Sequence, residues 1–218
     1  PKALAQSCDQ PSANRDQIGA VEMTNHYADG STTEPTVSVI VPTHNRPGGL
    51  GEALQSILSQ SLQDFEVIVI DDGSSPPASP VDDPRIRCHR TAHSEGPGAA
   101  RNRGIASASG RYLSFLDDDD VYHPEKLRIA VEALEANPDC AYAVHRMTFR
   151  ELDTSPRGSG DQSVLREGTR PMLLSQPPHV DSVVLRRDMT ADLRFDETFP
   201  AAADLDYMIR LARCGPQL

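Results

Sequence analysis

Three short apolar runs, each followed at once by a polar cluster, constrain the fold of this chain more than any other feature of its sequence. The runs cover residues 37–41, 65–70 and 112–116, and β-branched residues dominate the first two. Continuous apolar runs of this length are typical of strands that are buried on both faces of a parallel sheet. Apolar residues at helical spacing follow the first run. Before the third run, a glycine-rich turn opens a helix at 99–108, which Gly110 is expected to end. This order predicts the α/β fold class, with a mostly parallel central sheet flanked by helices.

The rest of the chain divides into a polar N-terminal segment and weaker elements of one domain. Residues 1–35 are rich in Ser, Thr, Asn and Gly, so we expect a flexible N-terminal arm. Residues 36–218 are expected to form a single domain, because the chain is short for two separate cores. The weaker predicted elements are strands at 85–90, 141–144 and 182–185, a helix with Pro124 in its first turn, a helix at 205–213 and a mobile loop at 150–168.

Composition narrows the class of protein. The formal net charge of −11 argues against a nucleic acid or an anionic membrane as a partner. The sequence contains neither an apolar run long enough for a transmembrane segment nor the apolar core of a signal peptide. Cys8, Cys88, Cys140 and Cys214 form no Cys-x-x-Cys pair, so we expect reduced thiols. Together these features predict a cytoplasmic protein, and they leave peripheral contact with a membrane open.

The polar clusters after the three strands form the candidate functional site. They comprise residues 42–46, 71–74 and 117–120. Ligands of open parallel sheets bind beyond the carboxyl ends of the strands, so we expect the clusters to meet at one edge. The glycines at 96–98, followed by Arg101, add backbone N–H groups and a guanidinium that suit an anion. A helix cap alone would also explain these glycines.

The four consecutive aspartates at 117–120 indicate a divalent cation. Adjacent carboxylates repel by about 1 kcal/mol per pair even in water, and a cation relieves that repulsion. Oxygen ligands without a neighbouring Cys or His favour Mn²⁺ or Mg²⁺. The alternatives are a solvated acidic turn here and simple turn chemistry at 71–74. The shared position at the sheet edge favours a binding site over both.

Four segments of the chain form a recognisable pattern. They are VSVIVPTHNR at 37–46, VIDDGS at 69–74, GAARNRG at 98–104 and LDDDD at 116–120. In their order and spacing, which are specific, they resemble the family 2 glycosyltransferases of the GT-A fold. The resemblance extends over 37–215, about four fifths of the chain.

The resemblance implies a Rossmann-like nucleotide-binding half at 36–122 and a smaller acceptor-side half at 123–218, which we expect to be incomplete at its C-terminal end. It also implies that Asp72 contacts the base and that Asp118 reaches the ribose. Asp117 and Asp119 would be the outer residues of an Asp-x-Asp motif, with Asp119 preferred as the direct metal ligand. The implied nucleotide-sugar-binding residues are Pro42, Thr43, His44, Arg46, Asp72, Arg101, Asp117 and Asp118, and the implied metal ligands are Asp119 and Asp117.

The segment 203–206 is similar to the one that supplies the catalytic base of the family, and it assigns this role to Asp204. Ala203 stands where the family often has an acidic residue, so Asp206 is the fallback. A favourable charge at a helix N-terminus would also explain Asp204. The reaction implied is a single displacement that inverts the sugar, from a UDP-sugar in preference to GDP or dTDP donors. The acceptor would be a hydroxyl of a glycan, a glycolipid or a small molecule.

Two other functions stay open at this point. A nucleotidyltransferase also joins an α/β nucleotide site to metal-bound carboxylates, but it would carry a glycine-rich loop with a basic residue after its first strand. A noncatalytic sugar-nucleotide-binding subunit would fit the departure at Ala203. His179 suits a structural hydrogen bond as well as a place in the acceptor site.

Overall fold

The computed structural model describes residues 34–145, 179–199 and 203–218. The predicted arm up to residue 33 and the predicted loop at 150–168 lie outside the described residues. Within the described part, no helix has the length and apolarity needed to cross a membrane.

The described strands form one six-stranded mixed sheet in the order β3-β2-β1-β4-β6-β5. The first four in that order pair in parallel, whereas β6 is antiparallel to both β4 and β5. This arrangement confirms the predicted α/β class and its mostly parallel sheet. The strands are β1 Val37–Thr43, β2 Phe65–Asp71, β3 Ile86–Arg90, β4 Tyr112–Phe115, β5 Tyr142–Val144 and β6 Val183–Arg186.

Helices cover both faces of the sheet, which explains why β1, β2 and β4 are buried along their whole length. One apolar cluster contains Val39 and Val41 of β1, and the other contains Ile40, because successive side chains of a strand point to opposite faces. The first cluster includes helices α1 and α3, and the second includes α2 and α4. The helices are α1 Pro47–Leu58, α2 Pro97–Ser107, α3 Lys126–Ala136 and α4 Ala203–Leu211, with a 3-10 turn at Val180–Ser182.

Two details of the sequence interpretation are wrong at element ends. Helix α3 begins at Lys126, and Pro124 lies in the turn before it. Gly110 does not end helix α2, which stops at Ser107. Instead, Gly110 lets the chain pass close to β1, since a Cβ atom there would lie 2.6 Å from the Ser38 nitrogen.

The prediction of four reduced thiols is also wrong. Cys88 is disulfide-bonded. Cys140 and Cys214 are free thiols, as expected.

The parallel register brings the ends of three strands together. Thr43 of β1 pairs with Asp71 of β2, and Ile40 pairs with Phe115 of β4. The segments that follow these strands therefore leave the sheet at the same edge, as the sequence predicts.

Candidate functional site

A cavity of about 550 Å³ opens beyond the carboxyl ends of β1, β2 and β4. The N-terminal ends of α2 and α4 form its other walls, which places backbone N–H groups toward it. Ser94 and Phe199 also line it and were not predicted to do so, and His179, for which a structural role and a place in the acceptor site were both open, lines it as well. All ten predicted site residues line this cavity: Pro42, Thr43, His44, Arg46, Asp72, Arg101, Asp117, Asp118, Asp119 and Asp204.

The acidic loop after β4 is held by contacts from β1 and its following turn. Thr43 Oγ1 donates to Asp118 Oδ2 at 2.6 Å. Arg46 forms ion pairs with Asp118, at 3.4 Å, and with Asp119. Burial raises the pKa of Asp118 above its usual value, although the Thr43 hydrogen bond and the Arg46 charge oppose this. The Asp119 side chain is 59% exposed, so it is the more accessible carboxylate of the two.

Gly49 allows helix α1 to approach this loop closely. A Cβ atom at this position would lie 2.3 Å from the Asp118 carbonyl oxygen. A glycine in the first turn of α1 therefore helps to set the position of the aspartates.

Arg101 of α2 connects two carboxylates of the cavity. Its Nη2 donates to Asp117 Oδ1 at 2.5 Å, and its Nη1 donates to Asp204 Oδ1 at 2.8 Å. The guanidinium is almost completely buried and lies 5.4 Å from the centroid of the Phe195 ring. Burial would lower the pKa of Arg101, but the carboxylates of Asp117 and Asp204 outweigh it and raise the pKa. Arg101 thus bridges the acidic loop and helix α4.

Asp72 organises the loop that leads into α2. Its carboxylate accepts from Ser94 Oγ at 2.7 Å, and from the backbone nitrogens of Glu95 and Gly96, each at 2.9 Å. Burial would raise the pKa of Asp72, but these hydrogen bonds together lower it. The carboxylate is consequently ionised and fixed at the cavity wall. Asp72 therefore stabilises a turn and also lines the cavity, so the two interpretations of this residue are compatible.

His44 and Asp71 stabilise the same corner. Asp71 is fully buried and accepts from the backbone nitrogens of Ser74 and Ala78, each at 2.9 Å, so it acts as a turn residue. His44 Nδ1 lies 2.6 Å from the Asp72 carbonyl oxygen, and its Nε2 lies 2.8 Å from Asn45 Nδ2. Because a carbonyl oxygen can only accept, Nδ1 is the protonated nitrogen of this ring.

A buried polar group behind Asp117 was not predicted from the sequence. Asp181 Oδ2 accepts from the Asp117 backbone nitrogen at 3.0 Å, and Lys126 Nζ donates to the Asp181 carbonyl oxygen at 2.5 Å. Burial raises the pKa of the Asp181 carboxyl, and the Asp117 charge adds to this. Burial lowers the pKa of Lys126. In the sequence, Asp181 is marked only by its position directly before the predicted strand at 182–185.

Helix α4 places its two N-terminal aspartates differently. Asp204 faces the cavity and pairs with Arg101, whereas Asp206 pairs with Arg210 of the same helix at 2.5 Å and does not line the cavity. His179 approaches Asp204, with 3.9 Å between His179 Nε2 and Asp204 Oδ2. In the described part of the chain, a group of ligand atoms that could hold a metal ion comes from Asp117, His179 and Asp181, and the predicted ligand Asp119 does not belong to it.

The comparisons with known proteins agree on one protein family. The model of the glycosyl transferase family 2 matches residues 38–185. An uncharacterized glycosyltransferase of Rickettsia felis is 39% identical over 123 residues, which are 54% of this chain and 20% of that protein. The succinoglycan biosynthesis protein ExoO of Rhizobium meliloti is 30% identical over 202 residues, which are 83% of this chain and 57% of that protein. The chain therefore spans between a fifth and three fifths of these relatives.

Solved structures share the fold. Residues 1–349 of S. aureus TarS, in complex with UDP-GlcNAc, superpose with a TM-score of 0.66 at 22% identity, over 84% of this chain and 56% of that one. The mannosyltransferase PcManGT from Pyrobaculum calidifontis, in complex with GDP-Man and Mn²⁺, gives 0.62 at 19% identity, over 86% and 55%. The predicted GT-A fold is confirmed by these likenesses and by the sheet topology. With a family match over residues 38–185, the chain belongs to glycosyl transferase family 2.

Proposed function

We propose that this chain is the catalytic part of a metal-dependent inverting glycosyltransferase, which transfers a sugar from a nucleoside diphosphate sugar to a hydroxyl group. The observation that carries the proposal is the meeting of the acidic loop, Arg101 and Asp204 in one cavity. Donor-binding and base-like carboxylates thus lie around a single space, as a displacement reaction requires.

The donor would bind with its nucleoside against the wall formed by Thr43, His44 and Asp72. Complexes of TarS with UDP-GlcNAc and of PcManGT with GDP-Man support a nucleotide sugar as the ligand class. We favour UDP over GDP and dTDP. Asp72 is an ionised acceptor fixed at the wall, which suits an N–H group of a base.

The cation would be Mn²⁺ or Mg²⁺, held by Asp119 and Asp117. The residues fit such an ion, because the exposed Asp119 pairs with Arg46 through Oδ2 and Asp117 pairs with Arg101 through Oδ1, so that the second oxygen of each carboxylate can face a cation. A bound cation would neutralise charge that develops on the diphosphate leaving group. Arg101 holds Asp117 in place and adds positive charge to the same wall.

Asp204 would act as the base of the reaction. Its carboxylate takes the proton of the acceptor hydroxyl, whose oxygen then attacks the anomeric carbon as the bond to the diphosphate oxygen breaks. Attack from the face opposite the leaving group inverts the anomeric configuration. The ion pair with Arg101 fixes the Asp204 carboxylate at the cavity wall.

The acceptor would enter past Phe199 and Leu205, two exposed apolar residues that line the cavity mouth. A glycan, a glycolipid or a small molecule with an apolar part suits this surface. We place the reaction in the cytoplasm, with peripheral contact to a membrane if the acceptor is a lipid.

A noncatalytic sugar-nucleotide-binding subunit is the alternative function. Ala203 at the start of α4 and the ion pair that occupies Asp204 Oδ1 favour it. The family match, in turn, argues against a nucleotidyltransferase.

Replacing the proposed base tests catalysis against simple binding. We expect Asp204→Asn to retain donor binding by calorimetry and to lose transfer or donor hydrolysis by about 10²–10⁴-fold, because no base takes the proton. Asp206→Asn is the matched control, since it changes the same helix outside the cavity. It should retain both properties. Full turnover by Asp204→Asn would place the base elsewhere, and no turnover by the unaltered chain with any nucleotide sugar and Mn²⁺ would favour the subunit.

A further inference from the structure

His179 lies where three carboxylates approach one imidazole ring. Its Nε2 atom is 4.0 Å from Asp117 Oδ2 and 3.9 Å from Asp204 Oδ2, and its Nδ1 atom is 3.7 Å from Asp181 Oδ2. These separations are too long for hydrogen bonds. They suit an ion between the atoms, because two ligands bound at about 2.1 Å lie about 3 to 4 Å apart.

The ligand atoms in question are available. Arg101 occupies Asp117 Oδ1, which leaves Oδ2 directed toward the ring. No hydrogen bond to His179 Nε2 occurs among residues 34–145, 179–199 and 203–218. The ligand atoms of Asp117, His179 and Asp181 all lie within 4.8 Å of one another.

The Asp181 carboxyl group supplies an independent observation. It is 4% exposed, and its Oδ1 has no hydrogen-bond partner within the described chain. A buried polar atom without a partner costs free energy, so an additional ligand or contact at this carboxyl group is expected. Its Oδ2 accepts from the Asp117 backbone, which keeps the group beside the ring.

The Asp181 carboxylate can also determine which nitrogen of the His179 ring carries the proton. The Asp181 backbone nitrogen is 3.5 Å from His179 Nδ1, at the limit of a hydrogen bond. A small rotation of the ring would let it donate its Nδ1–H to Asp181 Oδ2, which lies 3.7 Å away, and present a lone pair at Nε2. Histidines that bind metals commonly donate their second nitrogen to a carboxylate in this way.

From this geometry we propose that His179 is a nitrogen ligand of the divalent cation together with Asp117, and that Asp181 orients its ring. The inference rests on the metal-dependent function proposed above. It replaces a set of carboxylate oxygen ligands with a set that also contains an imidazole nitrogen. Imidazole is a better ligand for Mn²⁺ than for Mg²⁺ or Ca²⁺, so the site should prefer Mn²⁺.

Pulsed electron paramagnetic resonance of Mn²⁺ tests this directly, since a bound nitrogen modulates the electron spin echo. With Mn²⁺ alone and with Mn²⁺ plus UDP, we expect nitrogen modulation in the unaltered chain. His179→Gln should lose it and bind Mn²⁺ at least about tenfold more weakly. His93→Gln is the control, because its side chain is 75% exposed and lies outside the cavity, and it should retain both signals. An unchanged thermal unfolding midpoint would show that His179→Gln is folded.

The possible results distinguish a failure of the His179 assignment from a failure of the proposed function. Bound Mn²⁺ without nitrogen modulation, or modulation that persists in His179→Gln, overturns the assignment and leaves metal-dependent transfer intact. Sugar transfer that needs no metal overturns the proposed function by itself. Absence of Mn²⁺ binding even with UDP overturns both.

Discussion

Arg101 is the residue whose contacts join the two halves of the candidate site. Asp117 follows β4 and Asp204 begins α4, and the two are held by one guanidinium that is 3% exposed. We expect Arg101→Met to leave both carboxylates without their counter-ion and to lower the free energy of unfolding by about 2 kcal/mol. This is less than the loss of a fully buried ion pair costs, because the two carboxylates are partly exposed to water. Urea denaturation measures this change.

The matched control lies on the same helix. Arg103 pairs with Glu95 at the surface, so Arg103→Met should cost at most about 1 kcal/mol. Equal effects of the two substitutions would contradict the role given to Arg101.

The polar clusters after the strands, together with the family resemblance, were sufficient to predict which side chains line the cavity, but not what they contact. The motifs around Thr43, Asp72 and Asp117 are local in sequence. Arg101 and Asp204, however, are 103 residues apart, and no local pattern predicts their ion pair. The same holds for Asp181, which contacts Asp117 across 64 residues.

At the scale of elements, Gly110 fixes how the chain passes from α2 to β4. A Cβ atom there would lie 2.6 Å from the Ser38 nitrogen, so Gly110→Ala must shift β1 or the turn. We expect a loss of about 1–3 kcal/mol in the free energy of unfolding, as for other overpacked sites.

Gly51→Ala in α1 is the control for this change. A Cβ atom at Gly51 meets nothing within 4 Å, and alanine favours a helix, so stability should rise by about 0.5–1 kcal/mol. An unchanged free energy of unfolding in Gly110→Ala would show that the close approach to β1 does not limit stability.

The central strands were predictable because burial on both faces leaves a continuous apolar run, as in β1 and β2. The antiparallel pairing of β6 with β4 and β5 was not, because those strands are only three or four residues long. The start of α3 was placed too early for a local reason. Pro124 suits a first helical turn and a preceding turn equally well.

For the molecule as a whole, Glu66 links stability to pH. This buried carboxylate of β2 accepts from Ser38 Oγ at 2.6 Å and from the Ser109 backbone nitrogen at 2.7 Å, and it pairs with Arg87. Burial would raise the pKa of Glu66, but these hydrogen bonds and the Arg87 charge lower it. Its stabilisation is therefore present above the unfolded pKa of about 4.3 and is lost as pH falls through the lower folded value.

We expect Glu66→Gln to lower stability at pH 7 and to weaken the loss of stability below about pH 4. Urea denaturation over a series of pH values measures both. Glu132→Gln, at an exposed site of α3 beside Arg128, should retain the slope of the unaltered chain. An unchanged slope in Glu66→Gln would mean that this carboxyl does not govern acid unfolding.

For the molecule as a whole, we propose that the acidic loop binds a nucleoside diphosphate through a divalent ion. Calorimetric titration of UDP and GDP, with Mn²⁺ and with a chelator, tests it most directly in the unaltered chain, in Asp119→Asn and in Asp120→Asn. We expect binding of at least one nucleotide that requires Mn²⁺, that weakens at least about tenfold in Asp119→Asn, and that persists in Asp120→Asn. Equal affinity with and without the metal, or in Asp119→Asn, would contradict it.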